Sequence, residues 1–197
     1  MAWRWGRVSG VSLLETMFVV AILVVMAGAA VPGMLTSLDA SRARAATKYL
    51  AGRMRLLRME AVSRSTYMAM RFESDDTGVQ YAVYQDGNGN GVRTRDMRLG
   101  IDLRMTEFER LSERFPGVSF RLGAGTPDAG GRRGPGTDPI RMGRSDIVSF
   151  SPAGTATSGT LYVMGRSGSQ YAVRLLGPTG RVRVLAFRAE TGKWLPD

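Results

Sequence analysis

Residues 10–35 read GVSLLETMFVVAILVVMAGAAVPGML, and this stretch decides how the N-terminal part of the chain folds. The only ionisable side chain within it is Glu15. Residues 16–35 are almost all apolar and provide about the 20 residues that a helix needs to cross the hydrocarbon core of a membrane. Arg4 and Arg7 precede the run and favour a cytoplasmic N-terminus. The segment therefore predicts a single membrane-spanning helix.

Three interpretations of this helix compete. It could be a plain signal anchor, or a secretory signal peptide cut at the small-x-small sequence Ala27-Gly28-Ala29. Glu15 argues against both, because a carboxylate inside a membrane segment costs roughly 2.5–3.5 kcal/mol even on the lenient insertion scale. Such a charge needs a partner, and the third interpretation supplies one.

The sequence Gly10-Val11-Ser12-Leu13-Leu14-Glu15, followed at once by the apolar run, resembles the class III signal of type IV pilins and type II secretion pseudopilins. The resemblance implies that a prepilin peptidase cuts between Gly10 and Val11 and that the new amine of Val11 is N-methylated. It also implies that Glu15 pairs with the Val11 amine of a neighbouring subunit inside a filament. Pro32 matches a proline common in pilin helices, where it bends or locally melts the helix. Val11 departs from the phenylalanine usual at the first mature position.

One charge pattern opposes the orientation that this resemblance implies. Basic residues follow the apolar run, and simple charge counting would keep them in the cytoplasm: Arg42, Arg44, Lys48, Arg53 and Arg55. Pilin-like proteins use a processing route of their own, so we expect the signal motif to prevail and this segment to face the periplasm.

Past Pro32 the apolar residues recur at steps of three and four, as on one face of a helix: Ala43, Ala46, Leu50, Met54, Leu57 and Ala61. The basic residues of the same segment fall on the flanks or the opposite face, as on a solvated surface. We therefore expect one helix from Val11 to about Arg64, bent near Pro32. Its first part, 11–35, would lie in the membrane or filament core, and its second part, 36–65, would be amphipathic.

The remainder, residues 66–197, has the pattern of a β-rich head. The predicted strands are Ala69–Phe72, Val79–Gln85, Arg98–Leu103, Gly117–Leu122, Asp146–Ser151, Thr160–Met164, Ser169–Leu176 and Arg181–Phe187. Residues 106–114 predict a short helical turn, and residues 123–144, rich in Gly, Pro, Asp and Arg, a mobile loop. The fold class is therefore α+β, with a long N-terminal helix laid on a mainly antiparallel sheet.

Three motifs of the second half occur in a characteristic order: residues 148–154 (VSFSPAG), 159–161 (GTL) and 180–183 (GRVR). Together they resemble the GspH/FimT branch of pseudopilins and minor pilins. The resemblance implies a type IV pilin-like fold and a role as a minor pseudopilin of a type II secretion system. The alternative within the same branch is a FimT-like minor type IV pilin that binds DNA for uptake.

Arg181 and Arg183 carry the DNA alternative. They lie two residues apart on one face of the last predicted long strand, with Arg174 nearby across the turn. Two guanidinium groups at this spacing can meet successive backbone phosphates. An ordinary amphipathic hairpin, with Gly180 serving the turn, accounts for the same residues, and we favour it.

Residues 86–91 (DGNGNG) begin like a calcium-binding loop, with oxygen ligands at alternate positions and glycine at the sixth. The carboxylate expected at the twelfth position is replaced by Met97, and Asp96 lies one place early among arginines. Asp-Gly and Asn-Gly pairs also form tight turns without metal. We therefore expect a metal-free turn here, and no cofactor elsewhere.

Composition excludes several classes of function. The chain has 197 residues, no His and no Cys, so zinc sites of Cys and His, disulfides and imidazole bases are ruled out. Ser149 and Ser151 lack a base, and Lys48 and Lys193, the two lysines, have no suggestive spacing to them. We expect no enzyme. The formal charge of +10 suits acidic partners.

The expected protein is a pseudopilin anchored by a single pass in a bacterial inner membrane, with its head in the periplasm. Its expected partners are other pseudopilins or pilins, the prepilin peptidase/methyltransferase and the inner-membrane assembly platform. A contact with DNA is the alternative that Arg181 and Arg183 leave open.

Overall fold

The computed structural model describes residues 10–132, 138–143 and 145–197, and of residues 29–32 the backbone only. The chain divides into two compact units, one ending at Leu38 and the other covering Asp39–Asp197. Helix α1, Leu13–Ser63, contributes to both units. Its bounds lie close to the predicted ones. Pro32 lies within them, and the bend expected there stays a prediction.

Helix α1 ends just before a residue with a left-handed backbone conformation. Ser65 has φ of +50°, a left-handed conformation, and the N–H of Thr66 donates to the carbonyl of Ala61 at 3.1 Å. This arrangement satisfies a terminal carbonyl of the helix and turns the chain towards the first strand.

The head contains two antiparallel sheets within the described residues. The first has five strands: β1 (Met68–Asp75), β2 (Gly78–Gln85), β3 (Leu103–Arg104), β4 (Glu109–Arg110) and β7 (Ile147–Phe150). Its order is β3-β2-β1-β7, with β4 also paired to β2. The register of β1 on β2 runs from Met68 opposite Gln85 to Asp75 opposite Gly78, so the strands reach further into the turn than the sequence predicted.

The second sheet has six strands in the described part of the chain: β5 (Ser119–Phe120), β6 (Ile140–Met142), β8 (Gly159–Met164), β9 (Gln170–Leu176), β10 (Arg181–Arg188) and β11 (Lys193–Pro196). Its order is β11-β10-β9-β8-β5, with β6 paired to β8. A 3₁₀ turn, Gly177–Thr179, joins β9 to β10. The α+β fold class and the mainly antiparallel pairing are confirmed.

Helix α1 supplies one side of the head's core. The residues of its predicted apolar stripe are all buried, and they pack with side chains from both sheets, among them Met70, Phe120 and Leu161. A smaller cluster lies elsewhere on the first sheet around Ala69 and Tyr84, and another on the second sheet around Tyr162 and Leu185. Burial of the helix stripe fixes which face of each sheet points inward.

Three local predictions were wrong. Residues 98–103 do not form a strand: helix α2 (Thr94–Arg98) ends there, and only Leu103 of that range lies in a strand, β3. Within residues 106–114, where a helical turn was predicted, Glu109–Arg110 form strand β4 and Leu111–Arg114 are helical, as α3. The segment 123–144 is not loop throughout, because β6 pairs with β8 inside it. In the second and third cases pairing with a distant strand outweighs the local pattern.

Candidate functional site

The N-terminal site lies in the first unit. Gly10 and Val11 precede helix α1, and Glu15 stands in its first turn, where an acidic side chain interacts favourably with the helix dipole. Gly10 is exposed, and a Cβ added there would meet nothing within 4 Å. Packing in the described residues therefore gives no steric reason for a glycine at this position. Arg4 and Arg7 lie outside the described residues.

The apolar side chains that follow Glu15 are exposed. Phe18 is 66% exposed and Val25 72%, although both belong to the most apolar part of α1. Among the described residues, α1 is the one helix long and apolar enough to cross a membrane, and none of its most apolar window is buried. A stripe of this length in water would be strongly unfavourable, so it needs a lipid or protein environment.

The basic strand lies in the second unit. Arg181 and Arg183 are both exposed on β10 and share one face, while Val182 between them is 7% exposed. The register places Arg183 directly opposite Arg174 of β9. The structure thus brings these three guanidinium-bearing residues to one surface, as the sequence predicted, without showing what they bind.

Gly180 does more than form the turn before this strand. Its φ is +58°, and an added Cβ would collide with the Gly154 carbonyl oxygen and lie 2.6 Å from Nε of Arg58. Arg58 on α1 donates from Nε to that same carbonyl at 2.8 Å. Sequence reasoning placed Arg58 on a solvated face and missed this contact, since no local pattern links residues so far apart.

The loop that begins at Asp86 is held by its own backbone. Oδ1 of Asp86 accepts from the N–H groups of Asn88 and Gly89 at 3.0 Å, and its Oδ2 accepts from Gly91 at 2.8 Å. Asp102, 2% exposed, accepts from two further N–H groups. Within the described residues no three acidic side chains are arranged to hold a metal ion. The geometry accounts for these buried acids as parts of a turn.

The segment 123–132 is anchored to the second sheet rather than detached from it. Nε1 of Trp194 donates to the carbonyl of Pro127 at 2.8 Å, and Asp128 forms an ion pair with Arg141 of β6. Burial opposes ionisation of Asp128, but N–H groups of Arg132 and Gly130 and the Arg141 guanidinium outweigh it and hold its pKa below the ordinary value. Trp194 thus packs against this segment.

Together, an exposed apolar N-terminal helix and a two-sheet head define a type IV pilin-like protein. The family model of the type II transport protein GspH matches residues 46–179, more than half of the chain. The chain therefore belongs to the GspH family. This membership confirms the predicted role in type II secretion and does not favour the DNA-uptake alternative.

Two solved structures are similar to the chain, and both are of the minor pseudopilin EpsH from the type 2 secretion system of Vibrio cholerae. The first is 18% identical, with a TM-score of 0.42, and covers 74% of this chain and 97% of that one. The second is 16% identical, with a TM-score of 0.38, and covers 79% of this chain and 93% of that one. No curated protein sequence matches the chain significantly.

Proposed function

We propose that the chain is a minor pseudopilin whose apolar helix anchors it in the inner membrane and then packs among other pseudopilin helices, with the head in the periplasm. The observation that supports this most is the exposed apolar surface of α1, which follows the acidic Glu15 in the first turn of the helix. A membrane and a helix bundle both cover such a surface. The role is structural, not enzymatic.

The proposed processing step rests on the residues at the start of the same helix. Cleavage between Gly10 and Val11 by a prepilin peptidase would leave a positive amine four residues before Glu15. Pairing Glu15 with the N-methylated Val11 amine of a neighbour neutralises both charges and fixes the axial register of two subunits.

The test begins with the amino terminus. The chain is expressed with a prepilin peptidase and its assembly platform, purified from membranes and sequenced. We expect Val11 as the first residue, carrying a methyl group detectable by mass. A chain that begins at Ala30 would be a cleaved secretory protein, and an intact leader would indicate a plain anchor, so either result overturns the proposal.

The pairing is tested by Glu15→Gln, with Glu60→Gln on the exposed part of the same helix as the matched control. We expect Glu15→Gln to be cleaved and membrane-bound but to lose crosslinking to other pseudopilins, and Glu60→Gln to crosslink like the unaltered chain. Unchanged crosslinking of the Glu15 variant contradicts the pairing. Correct cleavage of both variants would still support the assignment of the chain as a pseudopilin.

A further inference from the structure

Four strands of the second sheet align polar residues in one row. The register pairs Arg141 of β6 with Thr160 of β8, Thr160 with Arg174 of β9, and Arg174 with Arg183 of β10. Directly paired residues point to the same face of a sheet, and neighbouring strands lie about 4.8 Å apart. Like charges placed directly opposite, as in Arg174 and Arg183, destabilise a sheet unless an anion lies between them.

A cavity of about 260 Å³ opens over this row between β6 and β9. Arg132, Arg141 and Arg174 line it together with Thr160 and Asp128. Arg141 is already paired with Asp128, which is 5% exposed. Arg132 and Arg174 are exposed and make no ion pair within the described part of the chain. The cavity thus holds more positive than negative charge.

We propose that this cavity is a carboxylate-recognition site, which takes an acidic side chain from an exposed segment of a partner protein. The incoming carboxylate accepts hydrogen bonds from the guanidinium groups of Arg174 and Arg132. Arginine forks match a carboxylate in geometry and bind it through paired, charge-assisted hydrogen bonds. The volume is below the roughly 300–1,000 Å³ of sites for drug-sized ligands, and it suits one side chain.

The fixed charge of Asp128 favours an acidic peptide over a nucleic acid. A nucleic acid strand carries a negative charge at every phosphate, so some phosphate would face the buried Asp128 carboxylate. A peptide can place an uncharged residue there and a carboxylate beside it. The aromatic rings near the row already pack on one another and are not free to stack on bases. Trp194 contacts Tyr162 and Phe187 at centroid distances of 5.4 and 5.3 Å.

This site is separate from the N-terminal segment and does not depend on processing at Gly10. The unprocessed and the processed chain should bind the peptide equally well. Failure of the peptide experiment therefore leaves the proposed anchoring and cleavage untouched, and failure of cleavage leaves the carboxylate site untouched.

The experiment uses the full chain in a neutral detergent and a fluorescein-labelled peptide in which aspartates alternate with serines, measured by fluorescence anisotropy. Comparison probes are the same peptide with asparagine for aspartate and a thymidine oligonucleotide of equal charge. Arg174→Gln and Arg132→Gln remove the free guanidinium groups. Arg98 is an exposed arginine at the end of helix α2, and Arg98→Gln removes one positive charge away from the cavity. Circular dichroism checks that each variant folds.

We expect the aspartate peptide to bind more tightly than both comparison probes, and its affinity to fall about tenfold in Arg174→Gln or Arg132→Gln. Arg98→Gln should change it less than about twofold, since only screened, distant charge is lost. No binding of the peptide, an equal loss in all three variants, or tighter binding of the oligonucleotide overturns the proposal.

Discussion

Nε of Arg58 donates a 2.8 Å hydrogen bond to the carbonyl oxygen of Gly154, and this contact joins helix α1 to the turn between β7 and β8. Gly180, just before β10, is next to the same two groups, and a Cβ added there would meet both of them. Three segments far apart in the chain therefore meet at one guanidinium group. Two of the three motifs that marked the second half of the sequence, those containing Gly154 and Gly180, are therefore neighbours in space.

The first prediction concerns this junction. Gly180→Ala should destabilise the head by more than about 2 kcal/mol, because alanine would have to adopt the unfavourable left-handed backbone of Gly180 and its Cβ would collide with the Gly154 carbonyl. Gly168→Ala is the matched control: its φ is +87°, but open space surrounds it, so we expect a loss of only about 1 kcal/mol. Urea titrations of the purified chain in detergent, followed by circular dichroism, measure both. Equal losses would show that packing at Arg58 contributes nothing.

How far sequence predicts this fold depends on whether a pattern is local. The stripe from Ala43 to Ala61 has helical spacing, and the structure buries it. Strand β11 was missed because Lys193–Pro196 is short and forms only by pairing with β10. Strand β6 was hidden in a segment rich in glycine and proline for the same reason. Short strands take their stability from partners that no local pattern reveals.

The candidate sites also differ in whether a local sequence pattern reveals them. Gly10, Val11 and Glu15 form a contiguous motif, and sequence alone can propose it. The shared face of Arg181 and Arg183 follows from strand alternation. The row that joins Arg183 to Arg141 depends on the register of four strands, which no local sequence pattern reveals.

The second prediction concerns Asp39, whose carboxylate accepts from the N–H of Arg166 at 3.1 Å and from the N–H and Oγ of Ser167 at 2.6 Å. Asp39→Ala should lower the free energy of unfolding by about 1–2 kcal/mol at pH 7, since two turn N–H groups lose their acceptor. Asp76→Ala, in the exposed hairpin turn, should stay within about 0.5 kcal/mol of the unaltered chain.

The same carboxylate gives a pH dependence. Burial opposes ionisation, but hydrogen bonds from Ser167 and Arg166 outweigh it, and the pKa of Asp39 lies below its ordinary value. A group whose folded pKa is depressed contributes stability above its unfolded pKa, about 3.9, and loses that contribution as pH falls through the folded pKa. The difference between the unaltered chain and Asp39→Ala should therefore shrink in acid. A difference that stays constant down to pH 2 would refute the assignment.

The third prediction is a stabilising change at Asp146. This residue has φ of +53°, and burial together with the nearby Asp138 raises the pKa of its carboxyl. Asp146→Asn keeps the tolerance for a left-handed backbone and removes the charge, so it should stabilise the head at pH 7 by at most about 0.5 kcal/mol, because solvent screens the charge of a largely exposed carboxylate. Asp146→Ala should destabilise it by about 1 kcal/mol.

The sign of the pH effect at Asp146 is opposite to that at Asp39. A raised folded pKa means that the stability linked to this group is fully present below its unfolded pKa and is lost as pH rises through the folded pKa. The advantage of Asp146→Asn should therefore vanish on acidification. Thermal unfolding at pH 7 and pH 3 measures it, and an advantage that grows in acid would contradict the assignment.

The last prediction concerns Trp194, which holds residues 123–132 against the second sheet. Its Nε1 bond to Pro127 and its contacts with Tyr162 and Phe187 are all lost in Trp194→Ala. We expect trypsin to cleave after Arg132 at least about tenfold faster in this variant, because proteolysis follows the population of the locally opened segment. Leu195→Ala, which alters a 43% exposed neighbour on the same strand, should leave the rate unchanged. Trp194→Phe should fall between, since it keeps the ring contacts and loses a hydrogen bond of about 1 kcal/mol. If Leu195→Ala accelerates cleavage as much as Trp194→Ala, then pairing of β11 as a whole, and not the indole, restrains this segment.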